Sequence, residues 1–178
     1  MVDLEKLVRN VPDFPIKGIQ FKDITTVVAD PAGLKESCEK IADMFKGKGI
    51  TKVVGIEARG YIFGSVVAYL LGAGFVLVRK PGKLPADTYK VEYSLEYGTN
   101  TIEMHKDAIK AGEKVLIIDD LLATGGTVLA AAKLVEIPGG KVEGIAFLIE
   151  LTGSLKGGEA LTKAGYKYST LLKIDVHE

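Results

Sequence analysis

The chain has 178 residues, enough for one domain with a sizeable core, and its apolar share of 47% and charged share of 26% are those of an ordinary globular protein. Lys plus Arg is 23 and Asp plus Glu is 23, so the net charge of +0 argues against a dedicated nucleic-acid binder. Cys38 is the only cysteine and His105 and His177 the only histidines, which excludes an intramolecular disulfide and an ordinary structural zinc site.

Val2 to Asn10 reads as a short amphipathic helix. Met1 to Lys6 lacks the basic-then-apolar pattern of a signal peptide, so a reducing, cytoplasmic setting is expected. A Pro- and Gly-punctuated arm follows: Phe14-Pro15-Ile16-Lys17-Gly18-Ile19-Gln20-Phe21-Lys22-Asp23-Ile24-Thr25. Its Phe14, Ile19 and Phe21 are candidate core anchors. Gly33 to Lys46 has helical periodicity. Val53-Val54-Gly55-Ile56 is apolar throughout. Glu57-Ala58-Arg59-Gly60 then reads as a strand-to-helix turn, with Gly60 at a conformationally special position. Gly60 to Val78 carries no charge and is long enough to cross a bilayer. Gly72-Ala73-Gly74 interrupts it, so a buried helix (Tyr61 to Leu71), a turn and a buried strand (Phe75 to Arg79) are expected instead of a membrane span.

Between Lys80 and Asn100, Pro81, Gly82, Pro85 and Gly98 punctuate a polar segment that contains Tyr89, Tyr93 and Tyr97. It reads as a long irregular insertion, the usual form of a lid or binding loop, although Tyr93 to Gly98 followed by Glu103-Met104-His105 also fits an amphipathic hairpin arm with half-buried tyrosines. Val115-Leu116-Ile117-Ile118 is a buried strand ending in Asp119-Asp120. A small, hydroxylated loop and a helical run from Gly126 to Val135 follow. Gly139-Gly140 is a turn, and Ile145 to Ile149 is another buried strand. In Leu151 to Gly157, Ser154 is a candidate helix cap, and Tyr168 to Ile174 fits an edge strand.

Short apolar strands alternating with helices imply a parallel sheet covered on both faces, with ligands beyond the carboxyl ends of the strands. Glu57 to Gly60, Lys80 to Pro85 and Asp119-Asp120 fall there. The most specific signal is the pair of acids followed by a loop at a helix start. Carboxylates suit sugar hydroxyls or a metal-bound ligand, and backbone N–H groups at a helix start suit phosphate. A ribose 5-phosphate unit presents both on adjacent atoms. No Gly-x-Gly-x-x-Gly is present. Gly55 to Gly60 has the glycine spacing of a Walker A loop but continues Tyr61-Ile62 rather than Lys-Ser/Thr.

Val115 to Thr127 closely resembles the phosphoribosyl pyrophosphate (PRPP) motif of the type I phosphoribosyltransferases. The resemblance implies an α/β chain with the type I phosphoribosyltransferase fold: a central, mostly parallel sheet with helices on both faces. It also implies one domain over 1–178, with a small N-terminal hood (about 1–32) and a flexible catalytic loop (about 82–104). In its terms Asp119 and Asp120 bind ribose, and Ala123, Thr124, Gly125, Gly126 and Thr127 bind the 5-phosphate. Arg59 binds pyrophosphate from a loop that often has an unusual peptide geometry.

Three further strings resemble the branch of the family that acts on adenine. They are the arm from Phe14 to Thr25, Arg79-Lys80-Pro81-Gly82-Lys83-Leu84-Pro85, and Tyr93-Ser94-Leu95-Glu96-Tyr97-Gly98. They imply that Lys83 contacts pyrophosphate, with Arg79 and Lys80 shaping the field. Glu96 becomes the acid/base on the purine imidazole ring, and Tyr97 helps the lid close. Phe21 stacks on the purine, backbone groups of Gln20 and Lys22 read the edge carrying the exocyclic amine, and Leu121 closes the opposite face. His105 is either within reach of pyrophosphate or structural. Pro81 and Lys22 stand where many members have Arg.

The implied reaction is purine salvage: adenine plus PRPP gives AMP plus pyrophosphate. Mg²⁺ is bound mainly through PRPP, with no dedicated protein metal ligand. The implied assembly is a homodimer, with no nucleic-acid or membrane partner. A phosphoribosyltransferase for another purine, or a non-catalytic PRPP-sensing regulator, stays open; balanced charge and the lack of an added DNA-binding module weigh against the regulator.

Overall fold

The computed structural model describes residues 1–95 and 97–177. In chain order these form α1 (Leu4–Leu7), β1 (Arg9–Pro12), β2 (Gln20–Asp23), α2 (Thr25–Ala29), α3 (Pro31–Phe45), β3 (Ile50–Ile56), α4 (Gly60–Leu71) and β4 (Gly74–Val78). Then come β5 (Thr88–Ser94), β6 (Thr99–His105), β7 (Lys114–Leu122), α5 (Gly126–Glu136), β8 (Lys141–Gly153), α6 (Gly157–Lys163) and β9 (Tyr168–Val176).

Local chemistry sets the boundaries. Asp30 caps α3 by accepting the Gly33 N–H at 2.7 Å, and Pro31 occupies the first helical position, where its missing N–H costs nothing. Gly72 ends α4 in the left-handed region at φ 67°, a conformation that favours glycine. That stop divides the charge-free run in two. No helix among the described residues is long and apolar enough to cross a membrane.

The main sheet has strand order β4-β3-β7-β8-β9, and every pairing in it is parallel. Alternate residues of its strands feed two separate cores. Leu116, Ile118, Ala146 and Leu148 pack with α3 and α4 on one face. Val115, Ile117, Ile145 and Phe147 pack with α5 and Leu161 of α6 on the other. Both faces of β7 are therefore dry, which is why its sequence is continuously apolar up to Asp119. β7 is the middle strand, so its carboxyl end is flanked by those of β3 and β8.

Two expectations change. Val2 to Asn10 is not one helix: α1 is a single turn, and Arg9 and Asn10 belong to β1, which pairs antiparallel with β2 through Asn10↔Lys22 and Val11↔Phe21. The segment from Lys80 to Asn100 is not irregular throughout, because β5 and β6 form an antiparallel hairpin in register from Thr88↔His105 to Ser94↔Thr99. Tyr89, Val91 and Tyr93 alternate along β5 and pack on the α5 side of the core. The edge strand is present and runs to Val176.

Candidate active site

The ends of β3, β4 and β7, together with the β5–β6 hairpin, enclose a cleft of about 760 Å³. Glu57, Arg59, Arg79, Lys80, Tyr93, Asp119, Asp120 and Thr127 line it. Asp120 is 4% exposed, and a carboxylate buried to that degree needs a partner. Arg59 supplies one: its Nε donates to Asp120 Oδ2 at 2.6 Å. Asp119 is half-buried and accepts the Asp120 backbone N–H at 2.8 Å. Burial, and then the neighbouring Asp120 carboxylate, push the Asp119 carboxyl well above the usual range; Arg59 pulls it down without prevailing. Gly60 permits this assembly, because a Cβ there would stand 2.9 Å from the Ile118 carbonyl oxygen and 3.1 Å from Asp119 Oδ1. The Glu57–Ala58 peptide just before it is cis.

Glu57 joins the turn after β3 to the basic loop. Its Oε1 accepts from Arg79 Nε at 2.9 Å and from the Lys80 N–H at 3.2 Å. Burial works to raise the Glu57 carboxyl, but these hydrogen bonds and the Arg79 and Lys83 charges outweigh it and hold it below its ordinary value. Lys83 itself is exposed and stands outside the cleft lining. The loop that carries it is tied to β6 at both ends. Glu103 Oε2 accepts the Gly82 N–H at 3.4 Å, and His105 Nε2 accepts the Ala86 N–H at 3.2 Å. His105 thus supports the basic loop.

The loop Ala123 to Thr127 leads into α5 through Gly125, at φ 89°, and no side chain caps the helix start. Its first-turn N–H groups therefore face outward without an internal acceptor. Asp119, Leu121 to Val128 and Phe147 line a recess of about 100 Å³ there. Thr127 Oγ1 donates to Tyr93 Oη at 3.1 Å, so the hairpin touches the loop directly. Sequence reasoning had not placed Tyr93 in the site. The period-two series Tyr89, Val91, Tyr93 was the available signal.

The hood residues stand apart from both cavities. Phe21 is half-buried and meets Phe14 edge-on, with ring centroids 5.1 Å apart. Lys22 Nζ donates to Asn10 Oδ1 at 2.6 Å, and Asn10 Nδ2 donates to Gln20 Oε1 at 2.8 Å. The side chains of Gln20 and Lys22 are thus engaged on the strand face opposite Phe21. The hood still reaches the site electrically, since Arg59 feels the charge of Asp23. Bonds from the Thr25 hydroxyl and N–H, and then from Arg9, hold the Asp23 carboxyl down to about 2.

Of the residues singled out from the sequence, the fold gathers Arg59, Asp119, Asp120 and Thr127 in one cleft. It sets Leu121 beside Ala123 to Thr127 in the adjoining recess. Gln20, Phe21, Lys22 and Lys83 line neither cavity, nor does Tyr97, whose side chain is 89% exposed. Glu96 lies outside the described residues. Among the described residues no group of three or more His, Cys, Asp and Glu is arranged to hold a metal ion.

Two strand-end carboxylates thus stand beside an uncapped helix start, an arrangement that suits a sugar phosphate. The family model of the phosphoribosyl transferase domain matches residues 23–175. The adenine phosphoribosyltransferase of Clostridium perfringens is 58% identical over 175 residues, covering 98% of this chain and 100% of that protein. A crystal structure of adenine phosphoribosyltransferase from Thermoanaerobacter pseudethanolicus superposes with a TM-score of 0.91 at 51% identity, over 96% of this chain and 98% of that one. An APRTase from Giardia lamblia complexed with 9-deazaadenine gives a TM-score of 0.90 at 42% identity, over 99% of this chain and 97% of that one. The chain belongs to the phosphoribosyl transferase family, and within it to the adenine phosphoribosyltransferases.

Asp119 yields a prediction about stability. Its pKa is raised in the folded protein, so the fold favours the protonated form, and that advantage is lost as pH rises through the folded value. Asp119→Asn keeps the oxygen that accepts the Asp120 N–H and removes the unfavourable charge. At pH 7 it raises Tm by about 2–4 °C, the shift about 1 kcal/mol produces in a chain of this size. The gain vanishes at pH 4. Thermal unfolding at both pH values checks this, and a lower Tm at pH 7 contradicts it.

Proposed function

We propose that this protein performs purine salvage, transferring the 5-phosphoribosyl group from PRPP to adenine to give AMP and pyrophosphate. The observation that carries the reading is the juxtaposition of Asp119, Asp120 and the loop Ala123 to Thr127 at the end of the central strand. The two carboxylates accept the ribose hydroxyls. The outward N–H groups of the loop and the hydroxyls of Thr124 and Thr127 hold the 5-phosphate. Arg59 and Lys83 bind pyrophosphate, the first as a planar fork matched to phosphate oxygens, the second as a point charge. Arg79 is paired with Glu57 and sets the field at the mouth of the cleft.

The base comes from the hood side. Pro12 lies opposite Gln20 in the β1–β2 ladder. A proline has no N–H to give and suits a non-hydrogen-bonded pair, so alternation directs the backbone groups of Gln20 and Lys22 away from β1. That orientation fits backbone readout of the adenine edge, and it fits the engagement of both side chains on Asn10. Phe21 stacks on one face of the base, and Leu121 closes the other.

Displacement at the anomeric carbon passes through an oxocarbenium-like state, so positioning of base and ribose and stabilisation of departing pyrophosphate supply most of the rate. Glu96 acts as acid/base on the purine imidazole ring, and Tyr97 helps close the loop over the site. Mg²⁺ would be carried mainly by PRPP, which fits a cleft where no group of three or more His, Cys, Asp and Glu among the described residues is arranged to hold it. When bound, Mg²⁺ neutralises pyrophosphate charge.

The assembly is a homodimer in a cytoplasmic setting. Ile62, Tyr69 and Leu70 of α4 and Leu77 of β4 are large apolar side chains exposed by 36%, 83%, 39% and 40%, on the elements that carry the Arg59 turn and the basic loop. Exposed apolar side chains along these two elements suit a second copy. Light scattering then gives twice the 19.0 kDa chain mass; a monomer at micromolar concentration contradicts it.

One assay tests the reaction. With PRPP and Mg²⁺, pyrophosphate is released with adenine but not with hypoxanthine or guanine, and AMP accumulates in equal amount. Glu96→Gln lowers kcat by about 10²–10⁴-fold, the usual contribution of a positioned acid/base. Turnover of a 6-oxopurine in preference to adenine, or of no base at all, overturns the reading. Near-normal turnover in Glu96→Gln removes Glu96 from its role.

A further inference from the structure

The segment from Leu151 to Gly157 runs from the end of β8 into the start of α6 and takes no part in the chemistry above. Glu150, at its head, is 6% exposed and pairs in the ladder with Leu122, just before the phosphate loop. Both of its carboxylate oxygens accept from Tyr168 Oη on β9, at 3.2 and 3.0 Å. Burial and then the Glu150 contact push the Tyr168 hydroxyl above its ordinary pKa, which keeps the proton on the donor.

The start of α6 packs against this pair. A Cβ on Gly158 would lie 2.5 Å from Glu150 Oε2 and would also collide with Tyr168 Oη. One residue earlier, the Gly157 N–H donates to the Ala123 carbonyl at 3.0 Å. A Cβ on Gly157 would sit 2.5 Å from that oxygen, and one on Gly125 would sit 3.3 Å from the Gly157 oxygen. Glu150 and Tyr168 thus form a wall, Gly158 rests on the wall, and Gly157 presses on Ala123 and Gly125.

We propose that Glu150, clamped by Tyr168, is a positioning residue for the 5-phosphate: it fixes the start of α6, and Gly157 in turn fixes the loop Ala123 to Thr127. The proposal rests on the reading of that loop as the phosphate site. A loop that binds through N–H groups depends on fixed amide directions, and small displacements weaken it. The two glycines have a physical reason in this arrangement, since a side chain at either would push the wall and the loop apart.

The test uses the full chain and ribose 5-phosphate as probe. Calorimetry gives its Kd, and steady-state kinetics give kcat and the KM for PRPP, for wild type, Glu150→Ala, Glu150→Gln and Gly157→Ala. Gly157→Ala and Glu150→Ala raise both Kd and KM about tenfold while kcat stays within about twofold, the signature of lost binding rather than lost chemistry. Glu150→Gln keeps an oxygen for Tyr168 and stays within about threefold of wild type. Wild-type Kd in Gly157→Ala overturns the proposal even if Glu150→Ala does not fold. A fall in kcat with unchanged KM in the variants also overturns it. If wild-type protein does not bind ribose 5-phosphate, the underlying reading of the loop fails instead.

Discussion

The arrangement rests on the pairing of Arg59 with Asp120 at the end of the central strand. β7 is buried on both faces, so two carboxylates placed where it emerges enter an apolar, partly enclosed setting. One charge is met by the guanidinium at 2.6 Å, and the other is left strained upward in pKa. A buried charge with a hydrogen-bonded partner is tolerated, whereas one without is costly. Gly60 lets α4 begin against β7, and this closeness brings Arg59 within reach. The same contact places the turn proposed for pyrophosphate beside the acids proposed for ribose.

Around that pair the molecule divides its labour. The rigid half is the parallel sheet, with Asp119, Asp120 and the loop into α5. It has few ways to move, because β7 is locked between β3 and β8 and the loop is backed by α6. The other half is carried by two small hairpins. β1–β2 holds Phe21 and the backbone of Gln20 and Lys22, and β5–β6 holds Tyr93 and leads into the segment with Tyr97. Tyr93 joins the halves through its hydrogen bond with Thr127. Glu57, Glu103 and His105 do not face a ligand in this account. Each fixes a backbone or a cation of the basic loop, so Lys83 extends from a framed support.

The sheet was legible in the sequence because its strands are apolar throughout and the helices between them keep a clear period. Asp119-Asp120 and the loop after them were legible because acids directly after a buried strand have no structural reason to be there. The β5–β6 hairpin was less legible: proline and glycine cluster before it, and Tyr89, Val91 and Tyr93 alternate with lysine and glutamate rather than forming an apolar run. β1 was read as helix because its four residues gain strand form only from β2, a tertiary effect that local pattern does not carry. Arg59 and Asp120 are 61 residues apart, and no spacing rule links them. The hood string around Lys22 was recognisable only by resemblance. Only the fold shows the Lys22 side chain turned to Asn10.

The central claim is that one strand end holds ribose and phosphate while the hood holds the base. A crystal structure with AMP and pyrophosphate tests it most directly. The account predicts the 5-phosphate within hydrogen-bonding distance of the amides of Thr124 to Thr127, and the ribose hydroxyls on Asp119 and Asp120. It predicts the adenine between Phe21 and Leu121, with its amine edge on the backbone of Gln20 and Lys22. A 5-phosphate seated on Arg79 and Lys80, or ribose hydroxyls touching neither aspartate, would contradict it.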